Sequence, residues 1–410
     1  MDVRKATAED LRPLAELWAY AFPGERTVAD RMRQLELGYP YGGLDVSWLA
    51  ESNGRLTGAF RAYRLVQYLS GTPMPMLGLA AVATAPTDRR RGVARALCRH
   101  AIRIGRERGD LVSVLYPFRP SFYRALGWGF AGILHAHRFA PGALPDYDEA
   151  AHVRPAGADD RAAIAACYAR VAADSNGLIE RNVPIWSYHF ERPGTYAVVY
   201  DDGAIRGYAL ARFARGATPE GGSLRVDELV AESDEAYRGL LGWIAAQRDQ
   251  VRLVLYDARP DEELDLRLDD PRPPGYRPAR NLWYPTAQRL RGPMIRILDV
   301  GGALAARTQW GETPGLALTI EIEIDDAEVP ENRGPWTVAI EDGGARVHRS
   351  RGAGADARLE TDAATFAEIY AGALLPSAAA RLGRARIDGA AEALDRAVAV
   401  RRPFWLLDEF

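Results

Sequence analysis

Over residues 77–105 the period of the apolar positions changes. Residues 77–83 form an unbroken apolar run of strand length. A polar turn follows. Then Val93, Ala94, Leu97, Ala101 and Ile102, with Cys98 among them, recur at helical spacing. The pattern predicts a strand, a turn and a helix with one buried stripe. Residues 3–15 read as a short strand, a polar turn and an amphipathic helix. Residues 48–58 read as two strands around a glycine hairpin turn.

These signatures occur twice. Val3-Arg-Lys-Ala-Thr-Ala-Glu-Asp has a partner in Val153-Arg-Pro-Ala-Gly-Ala-Asp-Asp, and residues 48–58 parallel 197–207. A third match aligns 79–97 with 226–244 and sets Arg91-Gly92 against Arg238-Gly239. Order and separation stay nearly constant, which predicts two copies of one α/β domain, 1–145 and 150–285, with a linker over 141–148. The segment 286–410 is patterned differently. Residues 316–324 alternate with period 2, and 336–340 and 357–361 read as shorter strands. Asp362 is placed to cap a helix carrying Phe366, Ile369 and Tyr370, and helices over 378–382 and 390–400 follow.

A chain of 410 residues exceeds one hydrophobic core, in keeping with several domains. Its net charge of −3 gives no global attraction for nucleic acid. Cys98 and Cys167 lie in apolar helical patterns and are expected as buried free thiols. No apolar run approaches the roughly 18–20 residues of a membrane span. The N-terminus enters a strand without a leader pattern, so a cytoplasmic protein without a membrane partner is expected. His135 and His137 share one face of a predicted strand, but no third ligand stands at metal spacing, so no metal is expected. His100 is expected to be exposed.

The turn before the first-copy helix carries Arg89, Arg90 and Arg91, then Gly92. A helix start leaves N–H groups unpaired and slightly positive, Gly92 admits a close backbone approach, and Ala94 keeps the surface small. Together these make a cradle for a pyrophosphate; the bland alternative is a solvated basic turn. The second loop, 231–239, carries Glu232, Asp234 and Glu235 instead and would repel such an anion. The second copy is therefore expected to lack cofactor. The tail 402–410 is apolar enough to dock, which would fix a carboxylate beside Asp408 and Glu409 and raise its proton affinity.

Arg89-x-x-Gly92-x-Ala94, between strand and helix, resembles the acetyl-CoA signature of the GNAT acyltransferases. The segment 286–410 resembles the sterol-carrier-protein type 2 fold. Two tandem GNAT-fold domains of α/β (α+β) class followed by a sterol-carrier-like domain resemble the Eis (enhanced intracellular survival) acetyltransferases over essentially the whole chain. The resemblance implies an N-acetyltransferase that moves acetyl groups from acetyl-CoA to amines, whether aminoglycoside-like, polyamine-like or the lysine of a peptide. It also implies a homohexamer. On it, Val82, Ala83 and Thr84 would meet the pantetheine arm. Arg90, Arg91, Gly92, Val93, Ala94 and Arg95 would hold the pyrophosphate, and Phe118 and Arg119 would touch the cofactor again. Phe122-Tyr123-Arg-Ala-Leu-Gly127 matches the family segment whose tyrosine is the general acid, and Phe410 matches the C-terminal phenylalanine whose α-carboxylate is the general base.

The amine pocket is harder to place. Phe22, Glu25 and Asp30 occupy the corresponding stretch, and Glu409 is a further candidate for a cationic acceptor. Arg26, Arg31 and Arg33 lie close by and would oppose a polycation if they face inward. Two other classes remain open at this point: a lipid-binding protein with a GNAT scaffold, and a non-catalytic acetyl-CoA sensor.

Overall fold

A computed structural model describes residues 1–410 apart from 25, 217–220, 277–282, 284, 312–316, 342–343 and 352–353. The described residues form two compact units. One comprises 1–132, 176–180 and 292–410; the other comprises 133–175 and 181–291.

The first unit opens with β1 (Asp2–Lys5), α1 (Leu11–Ala21) and α2 (Val28–Leu37), followed by β2 (Ser47–Ser52), β3 (Arg55–Leu69) and β4 (Thr72–Thr84). Then come α3 (Val93–Glu107), β5 (Val112–Leu115), α4 (Pro120–Arg124) and β6 (Gly129–Phe130). Among the described residues its larger sheet runs β1-β2-β3-β4-β5, then strand Met294–Ile297, then β6. Of these contacts, β4 with β5 is parallel, as a helical crossover requires. α3 turns Val93, Leu97, Cys98, Ala101 and Ile102 onto one face of the sheet. α1 places Leu14, Trp18 and their neighbours in a second core with Leu49, Ala59 and Ala83. Along β4, Leu77 and Leu79 belong to the α3 core, so Gly78 between them faces the other side.

A second sheet in the same unit runs Gly344–His348, Trp336–Glu341, Leu318–Asp325, Ala357–Asp362 and Ala385–Gly389. Asp362 caps the helix Ala363–Tyr370 by accepting from the Thr365 N–H, as its position before an apolar helical pattern predicts. The helices Pro376–Arg381 and Ala391–Val398 follow close to the expected spans.

The sheet of the other unit runs Gln288–Arg291, Ile133–Phe139, Val251–Ala258, Gly222–Ala231, Ile205–Ala214, Thr195–Asp201 and Val153–Pro155. Its order repeats that of the first. One ion-pair device recurs as well: Arg4 bridges Asp10 and Glu51, and Arg154 bridges Asp160 and Asp201.

The strands at the copy boundaries do not follow the sequence repeat. Ile133–Phe139, expected within 1–145, pairs with Val251–Ala258 in the second sheet. Met294–Ile297, expected within 286–410, pairs with β5 and β6 in the first. A period-2 pattern says that a strand is half-buried and leaves open which edge it completes. No described helix is long and apolar enough to cross a membrane.

Candidate active site

β4 and β5 pair only where residues 76–78 meet 112–114. Beyond Gly78 the strands part, and residues 79–84 keep β3 on one side with no strand opposite among the described residues. The backbone of residues 82–84 therefore runs along the gap that opens there, on an edge of β4 that no described strand covers. Ala81 has φ +50°, and the register with β3 shifts between Ala59 and Arg61. Trp18 steadies this bulge: its indole Nε1 donates to the Ala81 carbonyl at 2.7 Å.

The turn after β4 delivers the chain to α3. Arg90 has φ +61°, and Gly92 with φ +84° is the N-cap residue of α3. No side chain caps the helix there, and a Cβ on Gly92 would meet nothing within 4 Å. The first-turn N–H groups thus open outward, and Val93 and Ala94 follow them. Arg89, Arg90, Arg91 and Arg95 are exposed around this opening. Asp88, the acid in the turn, is buried and accepts from the Thr87 hydroxyl at 2.9 Å and from Arg55 at 3.0 Å. Thr87 and Arg55 hold its carboxyl below the usual range, so it stays ionised, and the paired Arg55 cation offsets its charge toward an anion. Open donors and surplus cations at one helix start fit a pyrophosphate.

The corresponding helix of the second copy, Asp234–Ala245, is closed by its own residues. Ser233 accepts from the Ala236 N–H, Glu232 pairs with Arg170 at 2.5 Å, and Asp234 and Glu235 fill the first turn. Arg238 pairs with Glu149 at 2.7 Å. A Cβ on Gly239 would strike the Tyr200 ring at 2.5 Å, so this glycine serves packing.

Tyr123 lies in α4, in the core under α3, with its ring 5.8 Å from Phe118, 5.0 Å from Phe122 and 6.2 Å from Trp128. Phe118 is 72 % exposed, and it and Arg119 stand at the rim of this aromatic group. No hydrogen bond to the Tyr123 hydroxyl is found among the described residues. Burial raises its pKa above the ordinary tyrosine value, and nearby Cys98 adds to the shift. The Tyr-x-x-x-Gly spacing has a local cause. The Tyr123 carbonyl accepts from the N–H groups of Leu126 and Trp128, which closes a turn with Gly127 at φ +89°. A Cβ on Gly127 would stand 1.5 Å from Arg296 Nη1, whose guanidinium donates to the Leu126 carbonyl and pairs with Asp326.

The tail docks. Phe404, Trp405 and Leu406 are buried, and the Trp405 N–H donates to the Asn176 carbonyl at 2.7 Å. Asp408 is fully buried; its carboxylate accepts from the Tyr41 hydroxyl at 3.2 Å and its carbonyl from the Tyr116 hydroxyl at 3.0 Å. These contacts seat the Phe410 ring among Tyr41, Tyr63 and Tyr116 at 5.9, 6.1 and 6.0 Å. A Cβ on Gly78 would come within 3.1 Å of that ring. Phe410 thus sits where β4 and β5 begin to part, on the face of β4 opposite the core that holds Tyr123.

The described residues among those expected at the acceptor pocket lie in different settings. Phe22 ends α1 and is 41 % exposed. Asp30 caps α2 from inside, accepting from the Thr27 N–H and hydroxyl. Glu409 is exposed, and Glu25 lies outside the described residues. His100, expected to be exposed, is half-buried with its ring 4.9 Å from Trp48, because α3 lies flat on β2 and β3 there. His135 and His137 are edge-on neighbours on one strand, and no group of three metal-ligating residues occurs among the described residues. Cys98 and Cys167 are buried free thiols. Tyr41, Tyr63, Tyr116 and Arg61 were not singled out from sequence. For Arg61 a signal existed, a cation inside the otherwise apolar run 59–63.

Residues 2–131 and 177–297 each match an acetyltransferase (GNAT) domain family, and 300–406 match a sterol carrier protein domain family. The chain is 28% identical over 335 residues to N-acetyltransferase Eis of Mycobacterium bovis, covering 76% of this chain and 75% of that protein. It is 28% identical over 341 residues to an uncharacterized N-acetyltransferase of Streptomyces coelicolor, covering 77% and 76%. Among solved structures, a GCN5-related N-acetyltransferase from Kribbella flavida superposes with TM-score 0.80 at 26% identity, covering 100% of this chain and 98% of that one. Eis1 from Mycobacterium abscessus shares the fold, with TM-score 0.77 at 22% identity and full coverage of both chains.

Proposed function

This chain belongs to the Eis family of GNAT N-acetyltransferases, and from that premise we propose that its first GNAT copy binds acetyl-CoA and passes the acetyl group directly to an amine. One observation carries the reading: the uncapped α3 start, the β4–β5 gap, Tyr123 and Phe410 belong to one region of one sheet.

Bound acetyl-CoA supplies a thioester, an acyl group activated toward a neutral amine. The α3 first turn at Gly92, Val93 and Ala94, with Arg90, Arg91 and Arg95, holds the pyrophosphate. The free edge at Val82, Ala83 and Thr84 bonds the pantetheine arm, and Phe118 and Arg119 flank it. The Phe410 α-carboxylate takes the proton that the amine gives up as the N–C bond forms. Tyr123 gives its hydroxyl proton to the sulfur as the C–S bond breaks.

Burial gives this transfer a favourable balance. A raised tyrosine pKa by itself makes a weaker acid. The neighbouring Cys98 thiol is pushed up to about 12 by the same burial. A thiolate released in these surroundings is likewise desolvated and basic, so the two proton affinities stay matched. Tyr123 meanwhile remains protonated and able to donate at every working pH.

The acceptor classes that the resemblance implies share a primary amine. Arg31 and Arg61 on the α1/α2 face count against a bare polycation and favour the lysine-like end of that range. The reading is tested by mixing the protein with acetyl-CoA and a panel of amines and following thiol release. Release that no amine raises above the amine-free background would remove it.

A further inference from the structure

A cation without a counter-ion among the described residues lies on the α1/α2 face of the first sheet. Arg61 of β3 is only 7% exposed. Its Nη1 donates to the Tyr63 hydroxyl at 3.1 Å, and its guanidinium carbon stands 4.8 Å from the centre of the Trp18 ring. Its Nε is buried with no acceptor. Among the described residues no carboxylate pairs with it. Arg31 of α2 repeats the pattern: Nη2 donates to the Phe22 carbonyl at 2.6 Å, and Nε is buried without an acceptor. Burial first, then the charges of Arg26 and Arg61, lower the Arg31 pKa. Cations that raise one another's cost converge where α1 ends and β4 bulges.

Packing does not account for this. A Met or Leu would cover Trp18 without a charge to desolvate, and a buried cation left unpaired is strongly unfavourable. The Nε–Nη2 edge of Arg61, which makes no hydrogen bond among the described residues, has the planar fork that grips a carboxylate with two parallel hydrogen bonds. Its place is informative too. Arg61 pairs with Ala80, beside the Ala81 bulge at the head of the gap. Tyr63, which holds Arg61, is also one wall of the Phe410 cage.

We propose that the acceptor is an amine that also bears a carboxylate, an amino-acid-like molecule whose anionic end is held by Arg61 and Arg31 while its amine faces Phe410. The proposal rests on the transferase reading above and deepens it.

Matched pairs test it: L-lysine against 1,5-diaminopentane, and γ-aminobutyrate against butylamine, with thiol release as the readout. The carboxylated member should show about 10–100-fold higher kcat/KM, the range of a charge-assisted bidentate contact. In Arg61→Met the ratio should fall toward one, and in Arg61→Lys it should be intermediate. Equal rates in the wild type, or an unchanged ratio in Arg61→Met, overturn the proposal. So does a preference for 2-aminoethyl phosphate over ethanolamine with none for carboxylates. Arg61→Met should melt at or above the wild type, since it removes an unpaired buried charge; a clearly lower melting temperature makes Arg61 structural and overturns the assignment. A second readout needs no turnover. N-acetyl-γ-aminobutyrate should raise the melting temperature of the wild type but not of Arg61→Met, and N-butylacetamide should raise neither. If no amine releases thiol while this shift persists, the transferase reading falls and the carboxylate site stands. If the shift is absent as well, both fall.

Discussion

Replacing Tyr123 by Phe should separate catalysis from stability. The hydroxyl has no hydrogen-bond partner among the described residues, so its removal leaves no buried group orphaned. The ring contacts with Phe118, Phe122 and Trp128, at 5.0–6.2 Å, survive the change. Unfolding free energy should therefore move by less than about 1 kcal/mol, where loss of a satisfied buried hydrogen bond would cost about 1–3 kcal/mol. Acetyl-CoA affinity should also hold, because the proposed pyrophosphate and pantetheine contacts lie on α3 and β4. Loss of the proton donor should lower kcat roughly 10²–10⁴-fold, about 2.7–5.4 kcal/mol of barrier. Steady-state thiol release gives kcat, calorimetry gives affinity, and a thermal melt gives stability. Because the Tyr123 pKa is raised, the wild-type rate should show no alkaline fall from this group within the ordinary tyrosine range. A kcat within threefold of wild type, or a loss that tracks a lower melting temperature, would return Tyr123 to a packing role.

Further outcomes are expected. Residues appended after Phe410 turn its carboxylate into a peptide bond and should cut kcat at least about 100-fold with little change in acetyl-CoA affinity, while residues placed before Met1 should be tolerated; equal activity in the two proteins would dismiss Phe410 as the base. Gly127→Ala puts a Cβ 1.5 Å from Arg296 Nη1 and should cost about 2–4 kcal/mol by displacing a buried, paired guanidinium; a wild-type urea midpoint would contradict the packing described. Asp10 and Asp160, bonded first by Arg4 and Arg154, are held at about 2 against an ordinary 3.8. Their depressed values add stability that is complete above about pH 4 and is lost as pH falls toward 2, on the order of 1 kcal/mol each after solvent screening. Melts between pH 2 and 5 should show a shallower slope in Arg4→Met, and identical slopes would show that the bridge contributes nothing.

The parts of the fold written in local chemistry were legible in the sequence. Gly92 after three arginines announced the start of α3, and Asp362 announced the helix it caps. Docking of the tail followed from its apolar residues. What escaped depends on which distant segments meet. The exchange of Ile133–Phe139 and Met294–Ile297 between sheets has no local signature, since each strand has the pattern of any half-buried strand. The tyrosines around Phe410 come from three separate stretches, after α2, on β3 and after β5, so no spacing joins them. His100 was misjudged because exposure on a helix depends on how flat it lies on its sheet. Arg61 was readable in part, as a charge among apolar neighbours, but its want of a counter-ion among the described residues is a fact of three dimensions.

The central claim is that one GNAT copy, the first, holds the cofactor at the open start of α3. Calorimetric titration with acetyl-CoA tests it most directly, on the wild type and on Gly92→Glu, whose added carboxylate would stand in the space left free before that helix. The account predicts one site per chain in the wild type and no detectable binding in a Gly92→Glu protein that melts like the wild type. Two sites per chain, or binding that survives Gly92→Glu, would contradict it.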